Sequence, residues 1–365
     1  MKILLDDGLQ LNQATGIGSY AKYLGQALED LPDTAVTREN FTPKKKRSLS
    51  RLSYLRYLNS AAYRKWLEGF DVVHYANYAL PRRHPKKTLI AVTVHDLTAF
   101  SHPETLPRAY AAYNRLMVRR AMTRADMIFT VSNAMRTEII ARFPKAKDKV
   151  VGVYPGHYTA AVGDTTPAIY ENEALTGLEK RKFFLYMGTI EKRKNVAELV
   201  AAYNLLQKTC PTAKDFALVL AGRHGFGADE VIKSVLNAPD TADIRMPGFV
   251  SNADRKKLLG EATALIFPSL YEGFGSPQTE AMAAGLPLIL SDIPTNREVS
   301  GVYGSYYPLG DESALAALLR KAVEGKLKAD PTAARDHLAR FDWQRSAAEI
   351  RAAYEAMLQA TLRKK

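Results

Sequence analysis

The chain has 365 residues, 47% of them hydrophobic, and 51 Lys and Arg against 38 Asp and Glu give it a net charge of +13. Since single cores rarely grow beyond about 250–300 residues, this length predicts two domains. No apolar run approaches the roughly 18–20 residues that span a bilayer, and the single cysteine, Cys210, excludes an internal disulfide and is typical of a reducing compartment. The charge favours anionic partners, such as phosphorylated substrates, nucleic acid or an acidic membrane face.

The N-terminal half alternates buried strands with helices. Asp6 and Asp7 interrupt the short apolar run at the start of the chain, which therefore does not resemble a signal peptide, and we expect a cytoplasmic protein. Apolar strands that are continuous rather than alternating predict a parallel sheet covered on both faces. The predicted strands are Lys2–Leu5, Val72–Tyr75, Leu89–Val94 and Met127–Val131, and the predicted helices include Gly18–Leu31 and Arg108–Ala125.

The same alternation starts again in the second half. Residues 161–182, an irregular stretch rich in Thr, Gly, Ala and Pro, indicate a linker between the two series. We therefore predict two Rossmann-like, doubly wound α/β domains, residues 1–160 and 183–340, which face one cleft and bind ligands at the carboxyl ends of their strands. The predicted strands of the second series are Phe183–Met187, Ala217–Ala221, Ala264–Phe267 and Pro287–Leu290.

A strongly basic segment follows the first strand and helix. From Pro43 to Lys65 there is no acidic residue, and leucines and aromatic residues recur among the basic ones at roughly helical spacing. A basic amphipathic helix of this kind suits an anionic membrane surface, although a solvated basic face over a packed apolar stripe gives the same pattern. The residues for which we predict membrane contact are Lys44, Lys45, Lys46, Arg47, Arg51 and Arg56.

Two motifs of the first half follow predicted strands. Gly16 and Gly18 open a helix, where glycines let backbone N–H groups approach a diphosphate or simply form a tight turn. His95 comes directly after the strand Leu89–Val94 and so points into the predicted cleft, unless it is a structural histidine paired with Asp96 or with the backbone.

In the second half, the strand Phe183–Met187 leads into Gly188 and the basic pair Arg193 and Lys194. Arginine binds phosphate through a planar fork and lysine binds it as a point charge, so the pair suits a diphosphate. A solvated basic turn is the alternative. Because the chain has no Asp-x-Asp pair to hold a metal-bridged diphosphate, we expect neither a metal nor another cofactor.

The most informative motif follows the strand Ala264–Phe267. Glu272 and Glu280 bracket a turn whose glycines allow close approach to a ligand, and a helix is expected to begin there with Ser276 as its N-cap. The N–H groups of its first turn suit a phosphate, and the carboxylates suit sugar and ribose hydroxyls. The motif therefore predicts a nucleotide-sugar site, whose donor-binding residues include Phe274, Gly275, Ser276, Pro277 and Glu280.

The segment from Glu272 to Glu280, with Gly-Phe-Gly inside it and Ala-Met-Ala-Ala-Gly-Leu-Pro after it, resembles the signature of the retaining GT-B glycosyltransferases of family 4. The segments around Gly16, His95 and Arg193 are similar to other motifs of that family in the same order, so the resemblance covers nearly the whole chain. It implies an acceptor-binding first domain, a second domain that binds the nucleotide sugar, and a C-terminal helix, about residues 341–365, that packs back on the first domain.

The resemblance also implies roles for individual residues. His95 contacts the transferred sugar, and Arg193 and Lys194 stabilise the leaving diphosphate. The loop that contains Phe249 holds the nucleobase, mostly through backbone groups. Ser276 departs from the family pattern, in which a leucine is often found, and Lys192 stands where a proline is common.

The run from Ser291 to Val299 is most similar to bacterial mannosyltransferases that build lipid-linked surface polysaccharides. This similarity implies GDP-mannose as donor, a lipid-linked or oligosaccharide acceptor, and a peripheral position on the inner face of the cytoplasmic membrane. A UDP-hexose is the alternative donor. Two other classes stay open: an NAD(P)-dependent oxidoreductase, which leaves the two-glutamate motif unexplained, and a basic nucleic-acid or membrane adaptor. We expect no nucleic-acid partner.

Overall fold

The computed structural model describes residues 1–9, 16–41, 50–157, 169–238, 243–327 and 329–363. The chain divides into two units, each with its own core. The first unit comprises residues 1–100, 109–156 and 340–365, and the second comprises residues 101–108 and 157–339.

The first sheet has six parallel strands in the order β2-β1-β3-β4-β5-β6. Its two central strands, β3 and β4, are buried along their whole length, as expected of a parallel sheet with helices on both faces. The strands are β1 (Lys2–Leu9), β2 (Ala35–Phe41), β3 (Val72–Tyr75), β4 (Leu89–Val94), β5 (Met127–Thr130) and β6 (Val150–Gly152). The helices between them are α1 (Gly16–Glu29), α2 (Ser50–Leu58), α3 (Ala61–Leu67), α4 (Thr98–Ser101), α5 (Arg108–Arg124) and α6 (Asn133–Arg142).

The second sheet also has six parallel strands, in the order β12-β11-β10-β7-β8-β9. Its strands are β7 (Lys182–Met187), β8 (Phe216–Ala221), β9 (Ile244–Gly248), β10 (Ala264–Phe267), β11 (Leu288–Ser291) and β12 (Gly304–Tyr307). Its helices are α7 (Val196–Thr209), α8 (Ala228–Leu236), α9 (Asn252–Glu261), α10 (Ser276–Ala283), α11 (Pro294–Ser300), α12 (Glu312–Val323) and α13 (Pro331–Leu338).

These two sheets confirm the predicted fold class, two Rossmann-like α/β domains. All eight strands predicted from continuous apolar runs are present, with ends that differ by a few residues. The four strands that were not predicted, β2, β6, β9 and β12, all lie at the edges of the two sheets. An edge strand is covered on fewer sides, so its sequence needs no continuous apolar run.

The predicted linker, residues 161–182, is described only from residue 169 onwards. The stretch before it, residues 158–168, lies outside the described part of the chain and also includes the last residues of the predicted first domain. The backbone N–H groups of Glu171 and Asn172 both donate to the Asp254 carboxylate, at 2.8 and 3.1 Å, and the Asn172 side chain donates to the Pro247 carbonyl. The part of the predicted linker around residue 171 is therefore fixed to the second unit by hydrogen bonds.

The last helix, α14 (Trp343–Arg363), packs on α1 of the first unit. The indole of Trp343 stacks on Tyr23 with 5.7 Å between ring centroids. Deeper in the unit, the Tyr354 hydroxyl is hydrogen-bonded to Nδ1 of His74 on β3, at 2.5 Å, and Nε2 of His74 lies 2.7 Å from the Thr93 hydroxyl. His74 thus joins the C-terminal helix to two strands of the first sheet.

This contact predicts a specific loss of stability in mild acid. His74 is fully buried, and burial, with a smaller effect from His95, lowers its pKa from 6.5 to about 3. Below pH 6.5 His74 takes up a proton in the unfolded chain but not in the folded chain. The stability that the neutral, buried imidazole provides is therefore complete above pH 6.5 and is lost as the pH falls towards 3. At pH 5 the loss amounts to about 2 kcal/mol.

Urea unfolding at pH 7, 6 and 5 tests this prediction by comparing the wild type with His74→Gln. The stability difference between the two proteins should change by about 2 kcal/mol over this range, because other titrating groups are common to both. Tyr354→Phe is the matched control: it removes the hydroxyl but keeps the imidazole, so its offset from the wild type should stay nearly constant. If the free energy of unfolding of His74→Gln depends on pH as steeply as that of the wild type, His74 is not the cause of the loss in acid.

Candidate active site

Two loops at the carboxyl edge of the second sheet bring a carboxylate between two basic side chains. Arg193 and Lys194 follow β7, and Glu272 follows β10, the neighbouring strand. Arg193 Nη1 lies 3.0 Å from Glu272 Oε2, and the Lys194 ammonium pairs with Glu272 Oε1. Thr295 also donates its hydroxyl proton to the main-chain carbonyl of Glu272, at 2.8 Å. The structure therefore joins the predicted basic pair and the first predicted glutamate in one ion cluster.

The cluster is largely removed from water, which sets its charge state. Glu272 is only 5% exposed. Burial by itself raises the pKa of this carboxyl, but Lys194 and Arg193 outweigh it and hold the pKa at about 2. Burial lowers the pKa of Lys194, and the charge of Glu272 opposes that shift. The Glu272 carboxylate is therefore an anion at any physiological pH, and it accepts hydrogen bonds without donating them.

Arg193 also holds the two loops to each other. Its Nη1 donates to the Tyr271 carbonyl at 2.7 Å, its Nη2 donates to the Glu191 carboxylate at 2.8 Å, and its own carbonyl accepts from the N–H of Leu270 at 2.9 Å. Glu191 was not predicted as a site residue. Its position two residues before Arg193 was a possible signal, although such a spacing is common on solvated turns.

The turn before α10 has a different cap from the predicted one. Gly275, not Ser276, is the N-cap, with φ +87° and no capping side chain, so Ser276 is the first helical residue and Pro277 the second. A Cβ atom at Gly275 would come within 2.3 Å of the Gln278 amide nitrogen, so the turn requires glycine there. Phe274 is 6% exposed and packs inward.

A buried network of polar side chains holds the first turn of α10 in place. The Gln278 amide donates to the Asn296 side-chain oxygen at 2.8 Å and accepts from the Ser300 hydroxyl at 2.6 Å. Asn296 in turn donates to the Ser291 carbonyl at 2.9 Å. All four side chains are fully buried. Because unpaired polar groups in such a place are costly, the network fixes the helix start relative to β11 and α11. The sequence reasoning missed these supporting residues.

Glu280 has a basic partner of its own. It is 6% exposed, and it pairs with the Arg255 guanidinium of α9. Burial raises the pKa of Glu280, and Arg255 opposes that shift. Glu272 and Glu280 therefore belong to separate ion pairs at the same edge of the sheet. Arg255 was not predicted, because nothing in its local sequence distinguishes it from a solvated helical arginine.

Close backbone contacts occur where β7 and β8 end. A Cβ atom at Gly222 would lie 1.7 Å from the Gly188 carbonyl oxygen, and the N–H of Gly222 donates to the Gly248 carbonyl at 2.8 Å. Beyond these glycines, Phe249 stands 55% exposed, and the guanidinium carbon of Arg223 lies 4.6 Å from its ring centroid. Gly188 and Phe249, both predicted donor-binding residues, thus flank the end of β8, and Arg223 is a neighbour that the sequence did not indicate.

His95 belongs to the first unit and lies directly after β4, as predicted. Its Nε2 is 2.8 Å from the Ala76 carbonyl, so Nε2 carries the proton and Nδ1 is an acceptor. Burial lowers the pKa of His95, which keeps the ring neutral, and the Tyr20 ring meets it edge-on at 4.8 Å. The backbone contact is the one expected of a structural histidine, and it leaves one ring nitrogen for another role.

Gly16 and Gly18 form the first turn of α1, and residues 10–15 before them lie outside the described part of the chain. The residues for which membrane contact was predicted also lie partly inside and partly outside the described ranges. Lys44, Lys45, Lys46 and Arg47 lie outside the described residues, whereas Arg51 and Arg56 are exposed on α2.

Two absences hold for the described ranges. No group of three His, Cys, Asp or Glu side chains there is arranged to hold a metal ion. Within the same ranges, no helix is both long and apolar enough to cross a membrane.

Two family models match this chain. Residues 15–160 match "Glycosyltransferase Family 4" and residues 171–336 match "Glycosyl transferases group 1". O-antigen chain mannosyltransferase B of Escherichia coli is 29% identical over 78% of this chain and 74% of its own. O-antigen chain mannosyltransferase RfbU of Salmonella typhimurium is 25% identical over 74% and 72%.

Solved structures show the same fold. Sucrose-phosphate synthase from Thermosynechococcus elongatus aligns with a TM-score of 0.72 at 18% identity, covering 99% of this chain and 100% of its own. HepE of Anabaena in complex with UDP aligns with a TM-score of 0.67 at 18% identity, covering 98% and 100%. The matched family models exclude the oxidoreductase and adaptor alternatives, and the chain belongs to the family 4 glycosyltransferases, which have the GT-B fold.

Proposed function

We propose that this glycosyltransferase is a retaining mannosyltransferase, which moves mannose from GDP-mannose to a lipid-linked saccharide in the assembly of a bacterial surface polysaccharide. The observation that carries the proposal is the buried cluster of Glu272, Arg193 and Lys194 at the carboxyl edge of the second sheet. The relatives named as O-antigen mannosyltransferases support the choice of sugar and pathway. A UDP-hexose donor is the second candidate, because a structural neighbour was solved in complex with UDP.

In the proposed reaction, the bond between the sugar carbon and the diphosphate oxygen breaks first. Lys194, Arg193 and the N–H groups at the start of α10 stabilise the charge that develops on the departing diphosphate. Because these cations and amides are already held in place by buried partners, little reorganisation is needed during the reaction. No metal is required in this scheme, since protein cations take that role.

The acceptor hydroxyl then attacks the sugar from the face that the diphosphate leaves, and its proton passes to the departing phosphate oxygen. Configuration is thus retained without a protein nucleophile. The Glu272 carboxylate accepts hydrogen bonds from hydroxyls of the transferred sugar, and Glu280 accepts them from the ribose. His95 provides the acceptor nitrogen Nδ1 for a sugar hydroxyl. A covalent intermediate on Glu272 is the weaker mechanistic alternative, because its two basic partners lower its nucleophilicity.

The first test measures release of free nucleotide from a panel of GDP- and UDP-sugars, with EDTA and a mixture of polyprenyl-linked acceptors. We expect turnover of GDP-mannose, unaffected by EDTA. If a UDP-sugar is turned over instead, the assignment of GDP-mannose as donor is wrong and the assignment as a glycosyltransferase stands. Turnover abolished by EDTA and restored by a divalent cation would contradict the proposed metal independence.

Replacement of Glu272 by Gln tests the role of the ion cluster. The amide keeps the shape of the side chain but loses the charge that holds Lys194 and Arg193. We expect GDP to bind still, and turnover to fall about 100-fold, as when a stabilising group of the transition state is lost. Glu324→Gln, an exposed glutamate of the same unit paired with Lys326, is the matched control and should keep full activity. Full activity in Glu272→Gln would refute its assigned role.

The first unit supports a peripheral membrane position. α5 carries five arginines and no acidic residue, and α2 and α3 also lack acidic residues. Arg51 of α2 lies over the Tyr110 ring of α5, at 4.5 Å, so the two helices are neighbours. Leu52 and Leu116, about 60% exposed, stand on these two helices. Exposed leucines on basic helices that carry no acidic residue suit an anionic leaflet that carries a lipid-linked acceptor.

Vesicle binding tests this position. Each basic residue near an anionic surface contributes about 1 kcal/mol, so the triple variant Arg56→Ala, Arg64→Ala, Lys65→Ala should bind phosphatidylglycerol vesicles roughly 100-fold more weakly. The control removes three exposed basic residues of the second unit, Lys321, Lys326 and Arg335, and should bind normally. Equal losses of vesicle affinity in both variants would mean that net charge alone is responsible. Tight binding of the wild type to duplex DNA would contradict the expectation that the protein has no nucleic-acid partner.

A further inference from the structure

A buried acidic side chain of the second unit lies just beyond the basic pair and is not used by the proposed reaction. Glu198, in the first turn of α7, is 7% exposed. Within the described ranges, no Lys or Arg side chain forms an ion pair with it. Burial raises the pKa of this carboxyl, and the hydrogen bonds that it accepts oppose the shift. Burying a carboxylate without a cation costs free energy, so the place of Glu198 in the core depends on those hydrogen bonds.

The hydrogen bonds of Glu198 join two loops. Its Oε2 accepts from the Asn195 side-chain amide, and its Oε1 accepts from the N–H of Gly310 at 2.9 Å. The Tyr307 hydroxyl lies 3.5 Å from Oε2. Asn195 ends the loop after β7, and Gly310 lies between β12 and α12. Glu198 therefore ties the loop that carries the basic pair to the loop after β12.

This contact differs from the usual one of a glutamate at the third position of a helix. Such a side chain commonly reaches back to the backbone N–H of the N-cap residue. The N-cap of α7 is Asn195, but its backbone N–H donates to the Lys192 carbonyl at 3.2 Å, and Glu198 binds its side chain instead. Glu198 thus holds the N-cap residue in addition to the turn that precedes it.

Asn195 has a backbone conformation that most residues avoid. Its φ is +53° and its ψ is +35°, and Asp33 is the only other non-glycine residue with a positive φ in the described ranges. This left-handed conformation costs free energy for a residue with a Cβ atom, although asparagine tolerates it better than most. At Asn195 the chain passes from the turn that carries Arg193 and Lys194 into α7. The direction of that turn therefore depends on the conformation of Asn195.

We infer that Glu198 is a positioning residue for the basic pair, Arg193 and Lys194. It holds Asn195 in the left-handed conformation and so fixes the backbone from which the two cations extend. Glu272 holds the same two side chains at their charged ends. The pair is thus fixed at both ends by two different carboxylates. This inference rests on the proposed role of the pair in stabilising the donor diphosphate.

Turnover of the nucleotide sugar and calorimetric binding of GDP and UDP to the full chain test the inference. Both nucleotides carry the diphosphate, so the result does not depend on the base of the donor. Glu198→Ala should weaken each nucleotide that the wild type binds and lower turnover about 100-fold, because a misplacement of about 1 Å can cost that much. Glu198→Gln should keep most of the turnover, since its amide can accept from Gly310 and donate to the Asn195 side-chain oxygen once that amide has rotated.

A double-mutant cycle separates positioning from general stabilisation. Glycine adopts the left-handed conformation without support, so the loss caused by Glu198→Ala should be much smaller in the Asn195→Gly background. Asn195→Ala keeps a Cβ atom but has no amide, so it should lose turnover as Glu198→Ala does, and it tests the same point if Glu198→Ala does not fold. Asp330→Ala is the matched control: it removes the N-cap of α13 in the same unit, and it should lower stability but leave turnover unchanged.

The outcomes distinguish this inference from the proposed function. If Glu198→Ala binds the nucleotides and turns over the donor as the wild type does, Glu198 does not position the pair and the proposed function stands. If Glu198→Ala causes the same loss with and without Asn195→Gly, Glu198 does not act through Asn195 and the inference is wrong. If the wild type binds neither nucleotide, the diphosphate role of the basic pair and this inference are both refuted.

Discussion

The ion pairs between Glu272 and its two basic partners join the loops after β7 and β10 of the second unit. Removing one partner from a buried cluster of this kind leaves an uncompensated charge, which is strongly destabilising. The loops after β7 and β10 are therefore held together by the same charges that the proposed reaction uses. Cations held in this way are in place before the substrate arrives, and that is the condition under which electrostatic stabilisation of a leaving group is most effective.

The parallel sheet explains why these charges meet. Every strand of the second sheet runs in the same direction, so all of its carboxyl ends lie at one edge. From β10 to β9 that edge carries, in order, the Glu272 loop, the Arg193 loop, Arg223 and Phe249. The parallel direction of the strands therefore gathers these side chains at one edge of the sheet.

The sequence predicted the interior of the fold better than its margins. Strands with continuous apolar runs were predicted, whereas β2, β6, β9 and β12 were missed because as edge strands they have no such run. The site divides similarly. Glu272 and its glycine turn belong to a local motif, but Arg255 and Arg223 gain their partners, Glu280 and Phe249, only through folding, because these partners lie far along the chain. Ser276 was predicted as the N-cap because serine suits that position, whereas the positive φ of Gly275 depends on the packing of Gln278.

The return of α14 to the first unit has a consequence for synthesis of the protein. The sheet of the first unit is complete in the chain by Gly152, yet His74 finds its tyrosine partner only when Tyr354 has been made. Chains emerge from the ribosome at about 5–20 residues per second, so about 200 residues must be added in the interval, which takes some tens of seconds at the slower rate. Throughout that time the surface of α1 that receives Trp343 stays uncovered. The second unit can thus finish folding before the first, although most of the first is synthesised earlier.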